Sequence, residues 1–436
     1  MGSYYLLSQP GCPIQGELTV PGDKSITHRA IFLASIAMGL SKIKGFLNSD
    51  DCLASVNAFK SMGVQIELES DVMMIQGVGK YGLSRPKTPI DCGNSGTTLR
   101  LLTGLLAAQA FDSQLTGDES LKKRPMERLS RPLVQMGANI THVGGCAPLH
   151  IRGGQSLVGI DYEMPEASAQ VKSGLLLAGL YADGETRIEE RFVTRDHTER
   201  MLAAFSYPVH KADNFISVNG LSQCLATEIN VPGDLSSAAF FMVAATLIPG
   251  SKLLIKDVGI NPTRIGVIKI LTQMGARLTI TNKRLWGEEA VADILVESAS
   301  LEGIVIPASM VPLAIDEFPI IFIAAACAQG QTLLHGAKEL RYKECDRIEV
   351  MVQGLNALGI EARSLDDGLC IQGGSFSGGV VDSHGCHRVA MAFAIAGSVA
   401  KGPIQIKNSG YIKTSFPQFV TTAKTLNLNI QEFFDA

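Results

Sequence analysis

Val20-Pro21-Gly22-Asp23-Lys24-Ser25 returns in the second half of the chain as Val231-Pro232-Gly233-Asp234-Leu235-Ser236. Each copy reads as a turn that opens a helix, with an aspartate placed where helices are capped. The copies diverge where chemistry would sit. The first goes on through Lys24, His28 and Arg29, whereas the second passes through Leu235 into Ala238-Ala239-Phe240-Phe241-Met242-Val243. The pair therefore reads as a duplicated scaffold, one copy kept for an anionic ligand and the other for packing.

Around these turns one pattern recurs: a helical stretch, a Met-Gly or Leu-Gly stop, then a β-branched strand. Ser55 to Leu68 stops at Met62-Gly63, Met126 to Val143 at Met136-Gly137, Pro262 to Thr281 at Met274-Gly275, and Asp346 to Ala362 at Leu358-Gly359. Glycine just past the last helical turn supplies a left-handed cap. Two weaker copies fit the spacing: His197 to Val218, with Ser206-Tyr207-Pro208 in place of the glycine, and Phe416 to Phe434, with Leu426-Asn427. Unrelated helix caps would give the same stops, but the even placement around residue 231 favours repetition. The expectation is six units, three before the second Val-Pro-Gly-Asp and three after, in two similar α/β lobes joined by extended segments near residues 20 and 231. Residues 21–231 would form the N-terminal lobe and residues 1–20 with 232–436 the C-terminal lobe, with a cleft between them as the natural ligand site.

Composition sets the limits on function. At 436 residues the chain is too long for one ordinary core, and 46% hydrophobic against 18% charged residues is ample for a large interior. The 44 glycines and 6% aromatic content favour close helix packing over a bulky aromatic core. A net charge of −4 argues against nucleic acid or an anionic membrane as partner, so any anion site must be local. Nine cysteines without a C-x-x-C pair suit a reducing cytoplasm and read as small apolar fillers. The N-terminus has no basic region before an apolar stretch, and runs such as Ile320 to Cys327 fall short of the ~20 residues a membrane helix needs. The expected protein is soluble, cytoplasmic and monomeric.

Several segments join a turn, a helix start and groups that bind anions. In Gly22 to Arg29, Ser25 and free backbone N–H groups can meet an oxyanion while Lys24 and Arg29 supply charge. It is not a Walker A loop, because no glycine stands five residues before Gly22. Asp91-Cys92-Gly93-Asn94-Ser95-Gly96-Thr97-Thr98-Leu99-Arg100 has glycines that let a ligand approach the backbone. Helix capping alone would explain either segment, though less easily both. Lys122-Lys123-Arg124-Pro125 sets three cations before a helix with Pro at its first position, or is a solvated charge run. Ser168-Ala169-Gln170-Val171-Lys172 opens the apolar helix Ser173 to Tyr181, where Ser168 could be only a cap, and Thr194-Arg195-Asp196-His197-Thr198 opens the next.

Leu313-Ala314-Ile315-Asp316-Glu317-Phe318-Pro319 places a carboxylate among apolar neighbours, where desolvation would favour a base; the alternative is an N-cap for the helix Ile320 to Ala328. Glu339-Leu340-Arg341-Tyr342-Lys343-Glu344-Cys345-Asp346-Arg347 is dense in both charges, as a surface helix start would be. His384-Gly385-Cys386-His387-Arg388 looks like a metal cluster, but no further thiol or imidazole stands at ligand spacing, so no metal is expected. The cations exceed what one phosphate needs and fall in both lobes. They imply a polyanionic ligand set, with Asp316 and Glu344 available for proton transfer, and a transfer or isomerisation of phosphorylated acids.

In this order the segments resemble the 5-enolpyruvylshikimate-3-phosphate synthase family over essentially the whole chain. The matching blocks are Pro21 to Ser25 through Arg29, Gly93 to Thr97 through Arg100, Arg124-Pro125, Ser168-Ala169-Gln170, Asp316-Glu317, Lys343-Glu344 through Arg347, and His387-Arg388. Ser168 to Lys172 and Thr194 to Thr198 look like the class II subgroup. The resemblance implies an α/β fold, the two-lobed inverted α/β barrel of six βαβαββ units, three per lobe. It implies transfer of the enolpyruvyl group of phosphoenolpyruvate to the 5-hydroxyl of shikimate 3-phosphate through a tetrahedral intermediate, with release of phosphate and no cofactor. By motif, Lys24, Ser25, Arg29, Ser168, Ala169, Gln170, Arg195, Asp316 and Lys343 would hold shikimate 3-phosphate. Lys24, Gly96, Arg124, Gln170, Arg347 and Arg388 would hold phosphoenolpyruvate. Asp316 would take the hydroxyl proton, and Glu344 would exchange a proton with C3, assisted by Lys24. The intact Gly96 implies binding of glyphosate.

The chain departs from the family's usual Asp-His-Arg at Cys386-His387-Arg388, and in Lys413-Thr414-Ser415-Phe416-Pro417 the lysine is shifted by one residue. The related UDP-N-acetylglucosamine enolpyruvyl transferases carry a reactive Cys or Asp in a glycine-rich loop that Phe111 to Arg124 does not resemble, although Asp112 and Asp118 are present. A non-catalytic sensor would need the arginines but neither Asp316 nor Glu344.

Overall fold

Space demands the glycine in both Val-Pro-Gly-Asp turns. A Cβ on Gly22 would lie 1.9 Å from the Gly45 carbonyl oxygen, and one on Gly233 would lie 2.9 Å from Val20 Cγ2. The aspartate that follows is extended in each copy, and its carboxylate accepts from the backbone N–H of Ile26 at 2.9 Å or of Ser236 at 3.1 Å. These caps start the helices Lys24–Ile36 and Leu235–Leu247.

The computed structural model describes residues 3–435. Its chain divides at these turns into two units, the first made of Met1–Pro21, Pro232–Arg284 and Ala290–Ala436, the second of Gly22–Val231 with Leu285–Glu289. The short Leu285–Glu289 piece differs from the expected assignment of all of 232–436 to the C-terminal lobe. It is the turn Gly287-Glu288 with the adjoining ends of the strands Arg277–Trp286 and Glu289–Glu297, and it groups with the second unit because Glu289 Oε1 lies 2.7 Å from His197 Nδ1 and Arg200 donates to the Glu288 carbonyl at 2.6 Å.

Six four-stranded sheets, three in each unit, follow one plan. In one of them Ile90–Asp91 and Ser113–Thr116 run parallel on either side of the helix Gly96–Leu106, and Cys146–Arg152 and Asn139–Val143 add antiparallel. One parallel pair occurs in every sheet. Gln15–Thr19 pairs with Lys252–Gly259 in the first unit and leads through the first turn into the second unit; Glu228–Asn230 pairs with Met38–Lys44 and leads back. This is the α/β architecture of six repeats.

The glycine stops are also physical. Gly63, Gly137, Gly275 and Gly359 have φ of +91°, +102°, +97° and +83°, and in the two weaker repeats Ser206 and Asn427 adopt the same left-handed turn at +59° and +60°. By contrast the innermost helices have almost no wet face. Every residue of Phe318–Ala326 is buried, as is all of Leu235–Leu247 except its last residue. Each unit has its own apolar core around three such helices.

Small residues let these helices touch along their backbones. A Cβ on Gly104 would stand 2.0 Å from the Gly174 carbonyl oxygen, so the helices Gly96–Leu106 and Ala169–Gly179 cannot separate side chains there. At the far end of the second helix, Lys80 Nζ donates to the carbonyls of Leu180 at 2.8 Å and Gly220 at 2.7 Å, a buried cation at a helix C-terminus. Among the described residues no helix is long and apolar enough to cross a membrane. Gly104→Ala should lower stability by about 3 kcal/mol, the upper part of the overpacking range, because only backbone movement relieves the overlap. Thermal unfolding measures this, and an unchanged midpoint would contradict the packing described.

Candidate active site

The helix starts of the second unit gather the first group of candidate residues. Lys24 opens Lys24–Ile36, and its ammonium lies 2.5 Å from Asp51 Oδ2, a buried carboxylate at the start of Asp50–Ser61. Ser25 lies beside it, partly exposed, with Arg195 Nη1 3.5 Å from its hydroxyl. Arg29 sits one turn deeper and is buried. Its Nε donates to Thr198 Oγ1 at 2.7 Å, Nη2 to Ser173 Oγ at 2.6 Å and Nη1 to the Ser25 carbonyl at 3.0 Å. Burial pushes this guanidinium down to about 10, against the pull of Glu199.

Gly96 opens the next inner helix, behind the cap Ser95, which accepts from the Thr98 N–H at 3.1 Å. A Cβ at Gly96 would lie 2.7 Å from Arg100 Nη1 and 3.1 Å from Arg124 Nη1, so glycine makes room for two guanidinium groups. Arg124 donates to Asn94 Oδ1 at 2.7 Å, and Asn94 donates to Asp118 Oδ2 at 2.7 Å. Ser168 caps Ala169–Gly179, accepting from the Val171 N–H at 3.3 Å, and Ser168, Ala169 and Gln170 are all partly exposed. Gln170 receives Arg100 Nη1 at 3.0 Å and donates to Thr97 Oγ1 at 3.0 Å. Lys24, Ser25, Gly96, Ser168, Ala169 and Gln170 thus stand at helix starts of one unit, with Arg195 just before the helix His197–Ala204 and Arg124 just after the 3-10 turn Leu121–Lys123, and N–H groups and cations there favour anions.

Beneath them runs a chain of buried groups. His28 Nδ1 lies 2.8 Å from Ser55 Oγ, Ser55 Oγ 2.7 Å from Thr98 Oγ1, and Thr98 Oγ1 2.8 Å from Ser95 Oγ. Burial first, then Lys24 and Arg29, hold His28 well below its ordinary 6.5, so it acts as a neutral link between two helix starts.

The first unit gathers the remaining candidates. Asp316 is not a helix cap: the helix runs Phe318–Ala326 instead of Ile320 to Ala328, with Glu317 at its cap position. Its oxygens face two guanidinium groups, Oδ1 3.3 Å from Arg347 Nη1 and Oδ2 3.7 Å from Arg388 Nη2. Its surroundings are therefore ionic, where apolar sequence neighbours had suggested a desolvated acid. Glu344 Oε2 lies 2.6 Å from Arg347 Nη2, so one arginine holds both carboxylates. Arg347 is 1% exposed, which corrects the expectation of a surface helix start. Burial opposes its charge, but Glu344, Cys386 and Asp316 outweigh it and keep Arg347 well above its ordinary value. Burial lowers Lys343, with Asp316 pulling the other way.

Other expectations change in detail. Pro125 precedes the helix Glu127–Gln135, and a 3-10 turn, Leu121–Lys123, carries the lysines; Lys122 pairs with Glu119 at 3.0 Å in solvent. The apolar helix expected at Ser173 to Tyr181 is Ala169–Gly179. His384 is exposed in a turn while His387 is buried on a helix, and among the described residues no three His, Cys, Asp or Glu gather as metal ligands would. Lys413 lies over the Tyr4 ring at 4.5 Å from its centroid. Arg100 and Asp51 received no role from the sequence, and Asn94 only that of one of three possible caps, of which Ser95 is the one that caps. Arg100 stands one helical turn after Gly96, a spacing that could have placed it on the same face; nothing local announces Asp51 as the partner of Lys24.

Arg347→Met would leave Asp316 and Glu344 without the cation between them, and should cost about 3–5 kcal/mol. Adding Asp316→Asn and Glu344→Gln should restore part of the thermal midpoint. A single variant as stable as the parent would contradict the bridging role.

A family model described as EPSP synthase (3-phosphoshikimate 1-carboxyvinyltransferase) matches residues 8–423. A 3-phosphoshikimate 1-carboxyvinyltransferase of Legionella pneumophila (strain Corby) is 61% identical over 428 residues, covering 98% of this chain and 99% of the relative. That of Methylococcus capsulatus is 56% identical, covering 97% of each. A solved EPSP synthase from Acinetobacter baumannii superposes with a TM-score of 0.88 at 50% identity, over 99% of this chain and 100% of the other. The enolpyruvyl transferase NikO from Streptomyces tendae shares the fold at 15% identity, with a TM-score of 0.82 and 100% of each chain covered.

Proposed function

The chain belongs to the EPSP synthase family, and we propose that the groups gathered at its helix starts carry that family's chemistry. It is a transferase of the shikimate pathway to the aromatic amino acids. The enolpyruvyl group of phosphoenolpyruvate passes to the 5-hydroxyl of shikimate 3-phosphate, and inorganic phosphate is released.

Asp316 accepts the proton of the 5-hydroxyl as that oxygen attacks C2 of phosphoenolpyruvate, while Glu344 protonates C3. In the tetrahedral intermediate the C2–phosphate bond then breaks and Glu344 takes a proton back from C3. Lys24 assists by charge. Shikimate 3-phosphate is held by Lys24, Ser25, Arg29, Ser168, Ala169, Gln170, Arg195, Asp316 and Lys343, with Arg29 also fixing Ser25 from below. Phosphoenolpyruvate is held by Lys24, Gly96, Arg124, Gln170, Arg347 and Arg388, whose guanidinium forks suit carboxylate and phosphate oxygens. The observation that carries the reading is the pairing of Asp316 and Glu344 with a single buried arginine, at 3.3 and 2.6 Å, which keeps two carboxylates close without direct repulsion.

Glyphosate, with a phosphonate and a carboxylate, competes for the phosphoenolpyruvate contacts. Unpaired cysteines support a cytoplasmic location, and the chain acts as a monomer on small molecules, with no nucleic acid or membrane partner and no cofactor.

Asp316→Asn should keep substrate affinity within about tenfold of the parent while kcat falls by about 1000-fold or more, within the span of a lost general base and its charge. Calorimetric binding and phosphate release separate the two effects, and near-normal turnover would refute the base assignment. Glyphosate should inhibit at low phosphoenolpyruvate and lose effect as phosphoenolpyruvate is raised. Inhibition indifferent to phosphoenolpyruvate would place it elsewhere.

A further inference from the structure

Asp316 and Glu317 are neighbours in the chain, and each reaches a buried arginine that a second carboxylate shares. Asp316 meets Arg347, which also holds Glu344. Glu317 meets Arg264, whose Nη2 lies 3.3 Å from Glu317 Oε1 and 3.2 Å from Asp234 Oδ1. Two separate ionic clusters of the first unit therefore grip one dipeptide. The proposed reaction uses the first cluster and leaves the second without a role.

The second cluster closes on the second Val-Pro-Gly-Asp turn. Ser236, in the first turn of Leu235–Leu247, donates its hydroxyl to Glu317 Oε1 and accepts from Arg264 Nη2 at 2.6 Å. Asp234 accepts from the Ser236 N–H at 3.1 Å. The turn that carries Arg264 is itself braced. Asn261 Oδ1 accepts from the N–H and the hydroxyl of Thr263 at 2.9 and 2.7 Å, and its carbonyl accepts from the Arg264 N–H at 2.8 Å. Two residues on, a Cβ at Gly266 would stand 2.6 Å from the carbonyl carbon of Leu313 and 2.8 Å from Ala314 Cβ. The Arg264 turn thus packs closely on the segment that leads into Asp316, and the Glu317 N–H closes that segment on the Ala314 carbonyl at 2.9 Å.

Stability is a poor reason for such a cluster. Arg264, Glu317 and Asp234 are 3%, 1% and 5% exposed, and charges taken that far out of water cost more than their attraction usually returns. What the cluster supplies is a fixed place, because Glu317 Oε1 is reached both from a helix start and from a braced turn.

We propose that Glu317 is a positioning residue, anchored by Arg264 and Ser236, which fixes the carboxylate of Asp316 where it accepts the hydroxyl proton. Glu317 acts through its neighbour and meets no reacting atom itself. A base displaced by about 1 Å can lose about 100-fold in rate, while ligand contacts made by other groups persist. The second Val-Pro-Gly-Asp turn, which supplies none of the proposed ligand contacts, thereby supports the base.

This rests on the reading of Asp316 as the base. Glu317→Leu keeps nearly the same volume and leaves Arg264 paired with Asp234, so the remaining charges balance. Phosphate release and calorimetric binding of shikimate 3-phosphate should show kcat lowered by about 100-fold, with affinity within about threefold of the parent. Glu317→Gln, whose amide oxygen can still accept from Ser236 and Arg264, should bring kcat back to within about fivefold of the parent. Added to Asp316→Asn, Glu317→Leu should lower kcat by less than about threefold further, because the two act through one group. Unchanged kcat in Glu317→Leu, or the full loss repeated in the Asp316→Asn background, would overturn the proposal. If Glu317→Leu does not fold, Ser236→Ala removes a single hydroxyl from the anchor and should lower kcat by about fivefold with affinity kept; an unchanged kcat there would overturn it equally. Near-normal turnover in Asp316→Asn would remove the base reading and this proposal together, whereas an impaired Asp316→Asn beside a fully active Glu317→Leu would remove the proposal alone.

Discussion

Packing of three buried helices in each unit is the constraint on which the rest depends. A helix without a wet face can be satisfied only by other apolar surfaces, and the repeated strand-helix-strand units supply them. Arg29 on Ser173 and Arg100 on Gln170 tie neighbouring helices in their first two turns, and Gly104 against Gly174 fixes the second of these pairs further along. Their unpaired N–H groups are then presented together, and the residues placed there meet a common positive field. Such packing favours anions at the helix starts, and the side chains there decide which of them are open to a ligand.

Of the two Val-Pro-Gly-Asp turns, only the first leaves the start of its helix partly exposed. Lys24, Ser25 and Arg195 stand near the surface of their unit, whereas the second turn leads to Leu235 and Ser236, both buried, with Asp234, Arg264, Ser236 and Glu317 locked in an internal network. The same local geometry thus leaves polar groups partly exposed in one copy, where the proposed reaction places ligand contact, and packs inward in the other. A buried arginine stands in each neighbourhood, Arg29 on the first helix and Arg264 against the second, so the difference lies at the first helical position, where one copy has the partly exposed cation Lys24 and the other the buried Leu235.

Much of the fold was legible because its rules are local. Glycine stops, aspartate caps and alternating helix and strand lie within a few residues of one another, and even Ser206 and Asn427, which lack glycine, fall at the right spacing. The site residues were legible as types and as family motifs, less so as environments. Arg347 looked like a surface charge because its neighbours in sequence are charged, yet it is buried by contacts with residues far along the chain. Asp316 looked desolvated because its sequence neighbours are apolar, yet Arg347 and Arg388 face it. Leu285–Glu289 could not be assigned from sequence, because its grouping depends on His197 and Arg200, which are remote in the chain.

In the proposed reaction two carboxylates that share one arginine handle different protons. The reaction run in deuterium oxide, with mass spectrometry of the C3 methylene in product and in recovered phosphoenolpyruvate, reads the Glu344 step without relying on net turnover. The parent enzyme should incorporate solvent deuterium at C3, and Glu344→Gln should lose that incorporation by about 100-fold or more, in the range expected of a missing general acid-base group. Incorporation by Glu344→Gln at the parent rate would contradict the division of labour proposed for Asp316 and Glu344.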